Sequence, residues 1–164
     1  MRLLALDQAS RVTGVAIFDD DKLIKYGTFE IKSNQELGKR LTQFLENLDK
    51  LYAAYHFDAI AYEDIQLQMG NVETYRKLAY IQAMILFWCE KNEKNLYCLS
   101  PSHWRKVLKE KYGMSWGRKR VEQKQTAIDF IQEHYKKEVD SDTADAICIG
   151  CAANIEINKN ESAF

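Results

Sequence analysis

The sequence predicts an α/β domain: a five-stranded mixed sheet, three antiparallel strands plus two parallel ones, flanked by helices. Three observations lead there. Residues 3–6 (Leu-Leu-Ala-Leu) form an unbroken apolar run that ends on a charge, Asp7, as a fully buried central strand would. Two stretches rich in β-branched and aromatic residues follow at hairpin spacing. Beyond them helical and strand-like runs alternate, which calls for parallel strands joined by helical crossovers.

Taken in order, residues 12–18 (Val-Thr-Gly-Val-Ala-Ile-Phe) make a second strand, and Asp19 to Lys22 close a hairpin into a third at 23–31. Three strands with short connections imply an antiparallel meander. Leu37, Leu41, Leu45, Leu48 and Tyr55 then recur at helical spacing, with Ser33 or Asn34 as the expected cap. Residues 58–63 form a strand expected to lie parallel to the first. Residues 64–72 read as a loop, with a turn at Gly70-Asn71. Leu78, Ile81, Ile85 and Trp88 mark a helix of about four turns, and 95–99 a fifth strand. Ser100-Pro101 starts the next helix, serine as cap and proline in its first turn. Two glycines in 112–117 break it. Val121, Ile128, Ile131 and Tyr135 carry another helix, and a last one runs from about 142 to 155. Residues 1–157 are expected to be one domain, and 158–164 a frayed tail.

Composition narrows the function. Nearly half the 164 residues are apolar, which excludes a disordered chain. No run reaches membrane-span length, and the start lacks a signal peptide's pattern, so a cytoplasmic protein is expected. Cys89, Cys98, Cys148 and Cys151 sit in apolar runs as small buried hydrophobes. The Cys148/Cys151 pair has no second pair or nearby histidine to complete a zinc set. The net charge is -1, yet residues 105–124 hold eight bases and only two acids. One basic segment on a neutral protein suits contact with a polyanion on one face.

Asp7 needs an explanation, because an ionised carboxylate at the end of a buried strand is costly without a cation. Glu63 ends the strand expected beside it, so both would emerge at the sheet edge where α/β proteins place ligands. Asp142 and Asp145 are three apart at the start of a helix and share a face. Their simplest role is to favour the helix dipole, but the apolar run after Asp145 turns that residue inward. Asp140 is the weaker candidate. Two like charges about 4 Å apart cost on the order of 4 kcal/mol at an effective dielectric near 20. The four are therefore partly protonated or neutralised by hard cations, Mg²⁺ or Mn²⁺ for an all-oxygen set. Two such ions suit in-line phosphodiester hydrolysis.

Leu-Ala-Leu-Asp7-Gln-Ala-Ser with Thr13-Gly14-Val15-Ala16, then Ala-Tyr-Glu63-Asp, then Asp142-Thr-Ala-Asp145-Ala-Ile together resemble the RuvC family of Holliday-junction resolvases, of RNase H-like (retroviral integrase-type) fold. The resemblance implies a homodimeric endonuclease, dependent on two Mg²⁺ or Mn²⁺ ions, that nicks four-way and other branched DNA. It assigns Asp7 to bridge the metals, Glu63 to help bind them, and Asp142 and Asp145 to hold the ion near the attacking water. The composition is similar to phage resolvases acting in a bacterial host. The chain departs from the chromosomal enzymes after the glutamate. A junction-opening wedge there would have to be Ile65, Leu67 or Met69 instead of phenylalanine.

The basic segment supplies the expected DNA contacts: Arg105, Lys109, Arg118, Lys119, Arg120 and Lys124 to phosphates, and Trp116 for stacking on an unpaired base. Trp104 is expected to pack in the core. Lys124 is also a candidate to offset charge on the scissile phosphate. The three histidines are expected on the surface or in packing, and part of the helix carrying Leu78 to Trp88 could form a two-fold seam. Two other readings remain at this point. One is a non-catalytic DNA-binding relative. The other is a fragment of the sugar-kinase and actin ATPase superfamily, which the lack of a second phosphate loop opposes.

Overall fold

The structure is a computed structural model and describes residues 1–32, 34–67 and 71–161, the side chains of 160 and 161 excepted. The candidate cap Ser33, the turn residue Gly70, the wedge candidate Met69 and the end of the tail, 162–164, lie outside the described residues.

Five strands, β1 (Arg2–Asp7), β2 (Val12–Asp19), β3 (Lys22–Glu30), β4 (Ala59–Glu63) and β5 (Asn95–Leu99), form one sheet in the order β3-β2-β1-β4-β5. β1–β2 and β2–β3 pair antiparallel, and β1–β4 and β4–β5 parallel. The expected sheet is therefore the observed one. β1 is central, and its four apolar residues are fully buried because both faces are covered.

The helices are α1 (Leu37–Tyr55), α2 (Val72–Lys91), α3 (Pro101–Tyr112), α4 (Arg120–Tyr135) and α5 (Ser141–Glu161). One face of the sheet, with Leu4, Leu6, Val15, Ile17, Ile60 and Tyr62, packs against Phe44 and Leu48 of α1 and Ile81, Ile85 and Trp88 of α2. The other face, with Leu3, Ala5, Ala16, Phe18, Ala59 and Ala61, packs against α3, α4 and α5. Small residues dominate the centre of this second face and bring α5 close. A Cβ on Gly150 would collide with the Phe18 ring and the Ala5 Cβ, and one on Gly14 with the Asp142 carbonyl.

Several boundaries differ from expectation. Glu36, not Asn34, precedes α1 and makes no side-chain cap bond. α2 begins at Val72 inside the expected loop. Its first turns are polar and carry an i,i+4 pair, Glu73–Lys77 at 2.6 Å, so no apolar stripe announced them. α5 runs past residue 155 to Glu161, with Glu156 and Lys159 paired at 2.8 Å in the added turns. Val121 was expected on the buried stripe of α4 and is instead 80% exposed. Ala127, Phe130 and Ile131 set that stripe, and a residue six positions before Ala127 lies about 120° off it. Cys98 is exposed on the edge strand β5, unlike the three buried cysteines. Among the described residues no helix is long and apolar enough to cross a membrane.

Candidate active site

The parallel register sets Leu6 against Tyr62, so Asp7 and Glu63 are the next residues on neighbouring strands. Strand alternation puts both on the face of Leu3, Ala5, Ala59 and Ala61, the face that α5 covers. Gly14, opposite Asp7 in β2, lacks the side chain that would push away the backbone at Asp142. The start of α5 therefore rests over the end of β1, and Asp142 and Asp145 join the two strand-end acids.

Electrostatics show that the four share one environment. The Asp7 carboxyl is raised well above the usual carboxylate range, first by burial and then by Asp145, Glu63 and Asp142, with Lys124 opposing. Asp145 is pushed up to about 6, chiefly by burial, with Glu63 and Asp142 adding to the rise while Lys124 and Arg105 oppose it. Burial also raises Glu63, against a hydrogen bond from Trp104 and the nearby charges of Arg105 and Arg120. Burial and mutual repulsion, the two forces that raise a carboxyl pKa, act together here.

Hydrogen bonds then separate the acids by role. Asp140 is the true cap of α5: its Oδ1 accepts from the Asp142 and Thr143 amides at 3.0 and 2.9 Å, and its Oδ2 from the Thr143 hydroxyl at 2.9 Å. Capping therefore does not account for the Asp142 side chain. The Lys124 ammonium instead donates to Asp142 Oδ1 at 3.1 Å and to Ser141 Oγ at 2.8 Å. Trp104 Nε1 donates to Glu63 Oε2 at 2.6 Å. Among the described residues no three His, Cys, Asp or Glu groups stand arranged to hold an ion as they are. The donor chemistry nonetheless fits a hard cation: four carboxylates, no thiolate or imidazole, and charge repulsion that an ion would relieve. Lys124 supplies part of that positive charge itself.

The basic segment divides. Arg105 and Arg120 stand close enough to act on Glu63, whereas Lys109, Arg118 and Lys119 are exposed on α3 and the α3–α4 connection. Trp116, expected to be free for a base, is half-buried. It meets Trp104 edge-on at 5.2 Å and donates its indole N–H to the Arg105 carbonyl at 2.9 Å. Trp104 is in the core as expected, but its link to Glu63 was not anticipated. Neither were Gln8 and Gln82, whose amides both donate to the Glu63 carbonyl. Leu67 is 63% exposed beyond β4, and Ile65 is partly covered.

Sheet order, small-residue face and acidic strand ends define a protein of RNase H-like fold with a four-carboxylate site. The family model described as Crossover junction endodeoxyribonuclease RuvC matches residues 3–152, and the chain belongs to that family. Curated relatives of that name include one from Dictyoglomus thermophilum, 26% identical over 62% of this chain. Another, from Campylobacter lari, is 34% identical over 52% of this chain. The alignments span 66% and 55% of those relatives' own lengths. The fold is similar to that of T. thermophilus RuvC in complex with Holliday junction substrate, at TM-score 0.71, 13% identity, and coverage of 93% of this chain and 92% of that one.

Proposed function

We propose that the protein is a divalent-metal-dependent endonuclease that resolves four-way junctions and other branched DNA by phosphodiester hydrolysis. The observation that carries this reading is the convergence of Asp7, Glu63, Asp142 and Asp145 on one site, seen in the Coulombic coupling that raises Asp7. Family membership and relatives named as crossover junction endodeoxyribonucleases support the substrate. A non-catalytic relative would have no reason to keep four mutually repelling carboxylates.

Asp7, Glu63, Asp142 and Asp145 would hold two divalent cations, Mg²⁺ or Mn²⁺. The bound ions would neutralise charge at the scissile phosphate and make water more acidic. The chain's own groups do the rest. Lys124, 3.1 Å from Asp142, is placed to turn its ammonium to a phosphate oxygen as charge builds there. Arg105 and Arg120, already within reach of the acids, steady the adjacent backbone, and Lys109, Arg118 and Lys119 extend the basic surface along the strand. Trp116, half-buried against Trp104, remains the candidate for stacking, and Leu67 is the more exposed of the two described wedge candidates, Ile65 and Leu67.

A second copy of the chain fits on α2. Tyr80, Leu86 and Phe87 are 41, 57 and 59% exposed on the side of α2 away from the core, an apolar surface that a two-fold seam would cover. Such a homodimer would act in the cytoplasm, the compartment of its DNA substrate, with phage origin fitting the composition. The test is to incubate the protein with labelled four-way junction, flap and linear duplex in Mg²⁺ and in EDTA. Paired nicks in the junction only with Mg²⁺ are expected; equal cutting in EDTA, or binding without any cutting, would refute the nuclease reading.

A further inference from the structure

Glu63 is held more tightly than its neighbours in the acidic site. Its backbone carbonyl accepts from the Gln8 amide, at the end of β1, and from the Gln82 amide of α2 at 3.1 Å. Its side chain accepts from the indole of Trp104 in α3 at 2.6 Å. Three elements thus fix one residue.

The Trp104 bond stands out because its donor cannot move. Trp104 is fully buried. The Arg105 guanidinium lies over its ring, 4.5 Å from the centroid, and Trp116 closes on it edge-on at 5.2 Å. Trp116 is tied in turn to the Arg105 carbonyl at 2.9 Å. A buried indole N–H must find an acceptor, and this one finds a carboxylate, which makes a short, charge-assisted bond. That bond occupies one lone pair of Oε2 and leaves Oε1 as the less engaged oxygen of Glu63.

We propose that Trp104 is a positioning residue: its indole N–H fixes Glu63 Oε2 so that Oε1 is presented to the divalent cation, and Arg105 and Trp116 lock the donor in place. This rests on Glu63 being a metal ligand. It adds that the ligand's orientation, and with it metal affinity, is set from the basic α3–α4 region that also faces DNA. Gln82 anchors the same residue from α2.

The test uses the whole protein and Mg²⁺ alone. Each tryptophan indole has its own partner: Trp104 on Glu63, Trp116 on the Arg105 carbonyl, and Trp88 on Asp49 Oδ1 at 2.7 Å on the opposite side of the sheet. The chain has three tryptophans, so the ¹H–¹⁵N indole spectrum gives three signals, and Trp104→Phe assigns the relevant one. Titrating Mg²⁺ into the wild type should shift the Trp104 signal saturably and leave the Trp88 signal still. Trp104→Phe should weaken Mg²⁺ binding, read by calorimetry, by about tenfold or more.

A stationary Trp104 signal through saturating Mg²⁺ would overturn the proposal, as would a folded Trp104→Phe with unchanged affinity. If that variant does not fold, the wild-type titration decides alone. Glu63→Gln separates the two levels. Full cleavage and Mg²⁺ affinity in that variant would refute Glu63 as a ligand, whereas loss of both with an unaffected Trp104→Phe would refute only the positioning role.

Discussion

The two faces of the sheet solve different problems. Against α1 and α2 it presents large residues, Leu4, Leu6, Ile17, Ile60 and Tyr62, which fill space and ask only for complementary volume. Against α5 it presents Ala5, Ala16, Ala59, Ala61 and Gly14, which bury little area each. What they provide is distance: α5 can lie close enough for Asp142 and Asp145 to meet Asp7 and Glu63. Both faces carry a hydrophobic core, and the α5 face in addition sets the spacing of the four acids.

The sharpest test of that division is Asp7→Asn, which removes the central charge and nothing of the packing. It is expected to bind a four-way junction normally and to reduce nicking in Mg²⁺ to the level seen in EDTA. Residual full-rate cleavage would remove Asp7 from the site. Lys124→Ala should slow cleavage roughly 10²–10³-fold and lessen the salt dependence of junction binding, both measurable in one gel series. An unchanged rate and slope would make that lysine a partner of Asp142 and nothing more.

Packing substitutions on the two faces should then diverge. Gly14→Ala places a methyl into the Asp142 carbonyl and must shift the start of α5. A misplacement of this kind can cost up to about 10²-fold in rate, seen in single-turnover cleavage by protein that is still folded. Phe44→Ala on the opposite face should cost about 3–5 kcal/mol of stability in urea unfolding, with near wild-type cleavage by the folded fraction. Equal rate effects from both would erase the distinction between the faces.

The smallest expected effect is on pH dependence. The carboxyl of Asp145 ionises near 6 in the fold against 3.8 when unhindered, so the folded state binds the extra proton between those values. Stability then rises as pH falls from about 6 towards 3.8, and is lost as pH rises through the folded value. Thermal melts of metal-free wild type against Asp145→Asn should show this contribution only in the wild type, and millimolar Mg²⁺ should flatten it. A pH difference of opposite sign would mean that burial does not raise the Asp145 carboxyl and that the charge of Lys124 dominates it.

Much of this was legible in the sequence, for physical reasons. A charge ending a buried apolar run is costly, and that cost pointed to Asp7 and Glu63. Serine followed by proline fixed the start of α3, where Ser100 Oγ does accept from the His103 amide at 3.3 Å. What stayed hidden depended on distance in the chain or on competing partners. Trp104 and Glu63 are 41 positions apart, and no local pattern announces that an indole will meet a carboxylate. The sequence offered the start of α5 to Asp142 and Asp145, and only the backbone shows that Asp140 folds back on the amides. The early start of α2 was masked because an ion pair, not an apolar stripe, supports its first turns.

Chain order gives the α5 contact a further meaning. α5 follows all five strands, and it packs on β1, β2 and β4 where the acids meet. Asp7 and Glu63 precede Asp142 and Asp145 by many residues in the chain and stay hydrated until α5 covers them. The full repulsion among the four acids is incurred only when α5 docks, so the sheet can pair before the acidic cluster is complete.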